Sequence, residues 1–281
     1  MKGAIIVNGY YKSTPYTHQV ERLLQEFKAK GITICVYENR FPKLSAKDFG
    51  IDFAVFLDKD IALAQMLESE GVRVFNSSMA IEIADSKIKT AVALKKYDVK
   101  MPLTIPAPVK YSYLTDNQYL QSVGQLLNFP LVVKEDRGSL GTGVYLANNI
   151  KELIEIDTNL GSKQKLYQQY IAQSLGKSYR VIVVGNKVLA AIMLTNSLDF
   201  RSNANFGGVA EIAELSLEYI KAAEDISKYL LLDYCGIDFF VNEVMLLEVN
   251  SNAFFKSVEK TTGINVAKEY VEYIIDTMGR N

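Results

Sequence analysis

Near the C-terminal end of the 281-residue chain, two acidic residues stand inside apolar runs, in Gly236-Ile237-Asp238-Phe239 and in Leu246-Leu247-Glu248-Val249-Asn250. Alternate side chains of a strand share a face, so Glu248 and Asn250 point one way and Val249 the other. A turn around Asn242 and Glu243 would set Asp238 nearly opposite Glu248, whereas a one-residue slip in register would send it to the other face. Two carboxylates and an amide are hard oxygen ligands of the kind Mg2+ accepts alongside substrate phosphates. A solvated strand edge is the better account of an isolated acidic pair. The apolar neighbours bring an ion site level with it, because unpaired charge among them is costly.

A second group with chemical potential lies upstream, where Lys134 ends the run Leu131-Val132-Val133 and Gly138, Gly141 and Gly143 follow before Val144. Glycine lets backbone amides close on phosphate oxygens, and lysine adds positive charge. No Gly-Lys-Ser/Thr follows and a strand comes next, so this is not a Walker A loop. Taken alone, a flexible hairpin loop accounts for the glycines as well as a phosphate lid does. Arg180 and Arg201 add weight to the lid, since guanidinium groups clamp phosphates across a cleft.

The elements that must hold these groups are readable from apolar periodicity. Residues 4–7, 32–36, 53–57 and 72–75 predict strands, with helices over 16–30 and 61–67, and Gly31 closes the first helix. Alternation of strand and helix predicts a parallel sheet covered on both faces. The turn after the first strand reads Asn8-Gly9-Tyr10-Tyr11-Lys12 and lacks the dinucleotide-binding glycine pattern. A lysine-rich helix is expected from about Asp85, followed by a connector that Pro102, Pro106 and Pro108 keep extended. Residues 131–170 predict a compact strand, loop, strand, helix, strand unit. Beyond Tyr179 the pattern turns antiparallel, with a hairpin across Gly185-Asn186, a helix near 220–231, a closing hairpin and a final helix over 266–278. The expected units are 1–84, 85–170 and 171–281.

Composition limits the function classes. Lysine plus arginine number 31 against 32 acidic residues, a formal net charge of -1, which gives no support for a nucleic-acid partner. No apolar span reaches membrane length, and the N-terminal apolar run turns polar too early for a signal peptide, so no membrane association and a cytoplasmic location are expected. Cys35 and Cys235 lack metal-site spacing, and both are expected to be buried thiols. His18, the only histidine, is expected on the surface or in the first helix.

Taken in order, Pro130 to Lys134, Gly138 to Val144, Gln168 to Ile171, Phe200 to Asn203, Gly207-Gly208, Gly236 to Asp238, Glu248 to Asn250 and Glu259 to Gly263 resemble the ATP-grasp superfamily, in particular its RimK-type branch. The resemblance runs from about Asp85 to the C-terminus and is weaker before it. It implies an α/β (α+β) ATP-grasp fold with an N-terminal parallel-sheet pre-ATP-grasp domain, a central lid domain and a C-terminal domain carrying the metal. It further implies ATP with Mg2+, or Mn2+ in its place, and a carboxylate-amine ligase working through an acylphosphate.

By residue, the resemblance assigns Lys87 and Lys134 to phosphate or adenine. The loop through Gly138, Ser139, Gly141 and Gly143 becomes the lid, and Gln168, Gln169, Tyr170 and Ile171 the adenine linker. Asp238, Glu248 and Asn250 become the metal ligands, while Arg201 and Asn203 face the transferred phosphate and acyl group, with Arg180 beside them.

Ser178 stands in the nucleotide region where many members carry aspartate, residues 193–196 lack basic residues often found there, and Ser251 to Phe255 replace the usual Ala-Ser-Pro-Gly. The implied substrates are a small-molecule amino-acid or peptide carboxylate and an amine, and a homo-oligomer is expected. A nucleotide-binding regulatory or scaffold protein of the same fold is the competing expectation.

Overall fold

The computed structural model describes residues 1–40, 50–112, 114–138, 141–174, 176–196 and 209–280. The first layer is formed by β1 (Lys2–Val7), α1 (Thr14–Ala29), β2 (Thr33–Glu38), β3 (Phe53–Leu57), α2 (Ile61–Ser69) and β4 (Arg73–Phe75). Its sheet is parallel, in the order β2-β1-β3-β4. Ser13 caps α1 by accepting from the Tyr16 amide, and Tyr16, Gln19, Leu23 and Phe27 form its buried stripe. The central strand β3 is buried throughout, but the edge strand β2 exposes Thr33, Cys35 and Val36. Cys35 is therefore an exposed thiol, contrary to the expectation from its apolar run; Cys235 is buried.

Two helices follow, α3 (Ser78–Asp85) and α4 (Lys87–Lys95). Asp85 closes a helix instead of opening one, because the Ser86 side chain caps α4 by accepting from the Lys89 amide. The middle layer comprises β5 (Thr104–Pro106), α5 (Asn117–Leu127), β6 (Leu131–Glu135), β7 (Val144–Ala147), α6 (Ile150–Leu160) and β8 (Lys165–Gln169). Its antiparallel sheet runs β5-β8-β6-β7. Both helices cover one face, with Leu120, Val123, Leu127, Leu153 and Leu160 packed on Leu131, Val133 and Tyr167.

The third sheet is antiparallel, β11-β10-β9-β12-β13. It consists of β9 (Lys177–Val184), β10 (Lys187–Thr195), β11 (Val209–Ile212), β12 (Tyr234–Phe239) and β13 (Leu246–Asn250). Gly185 and Asn186 both take positive φ, 55° and 63°, and make the expected two-residue hairpin turn. The helices α7 (Leu217–Tyr229), α8 (Lys256–Thr262) and α9 (Val266–Gly279) complete the chain.

The first and third sheets share one core, in which Ile5, Leu23, Phe27 and Phe53 join Ile182, Ile192, Tyr234, Phe255 and Tyr270. Buried Asn76 staples them with four hydrogen bonds. Its Oδ1 accepts from the amides of Asp233 (2.6 Å) and Tyr234 (3.0 Å), and its Nδ2 donates to the carbonyls of Tyr234 and Ser251 (2.8 Å each). One terminal nitrogen of Arg73 donates to both Asp233 carboxylate oxygens, at 2.7 and 2.9 Å. Among the described residues no helix is long and apolar enough to cross a membrane.

Candidate functional site

The strand order of the third sheet creates a charged row. Asp238 on β12 lies opposite Glu248 on β13 on one side and opposite Arg180 on β9 on the other. The hairpin register is the one that opposes the two carboxylates, with a bulge just beyond Asp238. Val249 and Ile237 point the other way into the core against α7. Arg180 donates from Nε and from a terminal nitrogen to the two Asp238 oxygens, at 2.9 and 2.7 Å. Burial opposes the charge on Arg180, yet Asp238 keeps the guanidinium protonated beyond its ordinary range.

The middle sheet turns its other face toward this row. Lys134 and Val132 on β6 share that face with Leu166 and Gln168 on β8. Among the described residues the Lys134 ammonium has no hydrogen-bond partner and lies within reach of the charges of Glu248 and Lys87. Burial pushes Lys134 down to about 8, which Glu248 partly offsets and Lys87 reinforces. Lys87, at the start of α4, donates to the Gly138 carbonyl at 2.7 Å and lies 3.6 Å from Glu248. Its position is fixed from behind by Asp136, which accepts from Ser86 Oγ at 2.8 and 2.9 Å and from the Ile88 amide at 2.9 Å.

Between the two sheets lies an open cleft. It brings together Lys87, Lys134, Gly141, Gln168, Gln169, Tyr170, Ile171, Arg180, Asp238 and Glu248 from the sequence expectations. Gly138 borders it through its bond to Lys87, and Gly143, with φ of 70°, closes the loop at β7. Ser178 is buried and does not line the cleft; Asn250 sits one alternation behind Glu248, opposite Gly236, also outside the lining. Ser139, Arg201 and Asn203 lie outside the described residues. Sequence reasoning missed Ser174, Lys177, Leu194, Phe240 and Leu247 in the lining, and Asp136 behind it. None of these carried a local signal: Asp136 meets Ser86 fifty residues away, a contact made only when the end of β6 packs beside α4.

The lining fits a nucleotide polyphosphate. It carries Lys87, Lys134, Lys177 and Arg180 against two carboxylates, with apolar Val132, Ile171, Phe240 and Leu247 among them. Lys134 turns an ammonium without a hydrogen-bond partner into this lining, where Glu248 offsets its burial only in part, and a phosphate oxygen would supply the missing partner. Among the described residues no three His, Cys, Asp or Glu side chains cluster to hold a metal. Asp238 and Glu248 alone supply one or two carboxylate ligands, which suits Mg2+ accompanied by phosphate oxygens and does not suit a closed protein cage.

Comparison with known proteins agrees. The model for the RimK-like ATP-grasp domain matches residues 84–274. An uncharacterized protein of Mycoplasma pneumoniae is 41% identical over 206 residues, covering 70% of this chain and 71% of that one. The ribosomal protein bS6 L-glutamate ligase of Salmonella paratyphi B is 32% identical over 241 residues, covering 84% and 78%. The D-alanine–D-alanine ligase of Bacillus anthracis, solved with ATP, superposes with a TM-score of 0.78 at 21% identity, covering 100% and 98%, and so shares the fold. The parallel N-terminal sheet followed by two facing antiparallel sheets is the α/β ATP-grasp architecture of carboxylate-amine ligases, and the chain belongs to its RimK-like family.

Proposed function

We propose that this chain is an ATP- and magnesium-dependent ligase that joins an amino-acid or peptide carboxylate to an amine through an acylphosphate. The observation that carries the reading is the convergence of Lys87, Lys134 and Arg180 with Asp238 and Glu248 on one cleft bounded by the 168–171 linker. Bound ATP supplies the phosphoryl group that activates the carboxylate, and Mg2+ supplies positive charge against the phosphate oxygens. Lys87 and Lys134 neutralise phosphate charge from the side of the middle sheet. Asp238 and Glu248 hold the metal, with Asn250 behind them. Residues 168–171 receive the adenine, and the loop through Gly138, Ser139, Gly141 and Gly143 covers the phosphates. The resemblance assigns Arg201 and Asn203, which lie outside the described residues, to the acyl group. No enzyme nucleophile is required, because charge neutralisation and positioning account for the chemistry. The reading divides the chain at about residues 84 and 170, so that the nucleotide sits between the second and third units. The L-glutamate named for the bS6 ligase makes glutamate the first amine to try.

The test is ADP formation across a panel of amino acids and short peptides offered in pairs. Turnover should need both partners, and isotopic oxygen placed in the substrate carboxylate should appear in the released phosphate. Nucleotide binding without turnover for any pair would leave the regulatory reading standing instead.

A further inference from the structure

The charged row holds more resident cations than a metal site tolerates. Asp238 spends both oxygens on Arg180, at 2.9 and 2.7 Å, and both side chains are largely shielded from water, with 7% and 16% exposure. Glu248 has Lys87 at 3.6 Å and the charge of Lys134 acting on it. The two contacts differ in kind. A 3.6 Å ion pair is loose, and Lys87 has the Gly138 carbonyl as an alternative partner. A two-pronged guanidinium-carboxylate bond in a poorly solvated setting is among the strongest such contacts.

With Lys87, Lys134 and Arg180 around Asp238 and Glu248, and Lys177 also in the lining, the cleft holds an excess of positive charge. A bare divalent ion entering here would meet that excess and would also have to strip Asp238 from Arg180, leaving the arginine buried and unpaired. A polyphosphate changes both conditions at once. It reverses the excess charge, and two of its oxygens offer Arg180 an anionic partner in place of the carboxylate it gives up.

We propose that Arg180 is a positioning residue that locks Asp238 against free divalent metal, so that metal enters this cleft only together with a polyphosphate that takes Arg180 in exchange. Arg180 thereby acts on the carboxylate and makes metal and nucleotide binding mutually dependent. By linkage, the factor by which nucleotide tightens metal binding equals the factor by which metal tightens nucleotide binding. The inference rests on reading the cleft as a nucleotide site, and the experiment separates the two.

Mn2+ is the probe, followed by the paramagnetic signal of the free ion, with no turnover involved. Beyond the Mn2+ that the analogue binds in protein-free solution, wild-type protein should take up Mn2+ measurably only when a non-hydrolysable ATP analogue is present. Arg180→Gln should take up Mn2+ alone, tighter than wild type by about tenfold or more. Adding Asp238→Asn to that variant should abolish the gain, which places it at this carboxylate. Arg180→Lys, which keeps the charge without the two-pronged bond, should fall between and serves if the glutamine variant does not fold. Equal Mn2+ affinity of wild type with and without nucleotide overturns the lock, as does a variant that folds and gains nothing. Failure of the analogue to bind wild type at all would instead remove the nucleotide reading on which the lock depends.

Discussion

Two lysines on adjacent strands of the middle sheet have opposite surroundings. Lys165 on β8 is 1% exposed and Lys134 on β6 is 8% exposed, yet they face opposite sides of the same sheet. Lys165 lies under the helices, where its ammonium donates to the Gly161 carbonyl at 2.9 Å and pairs with Asp157 at 3.0 Å. Asp157 in turn accepts from Lys110 at 2.5 Å and from the Tyr167 hydroxyl at 2.7 Å. That network is closed: it caps the end of α6 and ties it to β8. Lys134 faces the cleft with charge nearby and no bonded partner among the described residues. A buried charge that folding leaves unpaired marks a place where a ligand completes the pairing, whereas a fully paired one marks architecture.

The largest effect should come from breaking the closed network. Asp157→Ala leaves Lys110, Lys165 and the Tyr167 hydroxyl facing an empty position, and a loss of about 3–5 kcal/mol is expected in urea denaturation. Burial pushes Asp157 up, but Lys110, Tyr167 and Lys165 together hold it below its ordinary value. Its stabilisation is therefore present above the unfolded carboxylate range and lost as pH falls through the lower folded value. The variant should lack that part of the acid sensitivity.

Lys134→Met should act in the opposite direction. Removing a charge that folding strands should raise the stability of the ligand-free protein by on the order of 2–3 kcal/mol while removing nucleotide binding. The sign of the pH dependence follows from the downward shift to about 8. Between about 8 and the ordinary lysine value of 10.5 the unfolded chain binds the extra proton, so wild-type stability should climb with pH through that window relative to the variant. Below it the penalty is complete, and above it the penalty is gone. Parallel curves for the two proteins would show that Lys134 is not strained.

The contrast between these lysines was only half legible in the sequence. Lys134 could be singled out because it ends an apolar strand before the glycines, all within ten residues. The opposition of Asp238 and Glu248 was legible for the same reason, since a hairpin sets its register locally. Arg180 was read as a phosphate clamp, and nothing local could pair it with Asp238, because that contact depends on β9 lying beside β12 in the third sheet. Edge position is likewise a property of the assembled sheet, which is why the apolar run around Cys35 looked buried. Lys165 gave no signal at all. Its partner Asp157 lies across a helix end, and a Lys-Leu-Tyr strand start looks the same whether its lysine is solvated or sealed.

The smallest change should test whether the cleft side also has architecture behind it. Ser86 Oγ accepts from the Lys89 amide at 3.0 Å and donates to Asp136, which also accepts from the Ile88 amide at 2.9 Å. Lys87 lies inside that turn, and its reach to the Gly138 carbonyl joins α4 to the base of the glycine loop. Ser86→Ala removes the cap and one support of Asp136, at an expected cost of about 1 kcal/mol. If the turn only stabilises the helix, nucleotide affinity should survive that loss unchanged. If it aims Lys87, affinity should fall severalfold, and Ser86→Thr, which keeps the hydroxyl, should restore it. Asp157→Ala costs more in folding and should leave the affinity of the folded fraction intact, because its lysines face the other side of the sheet.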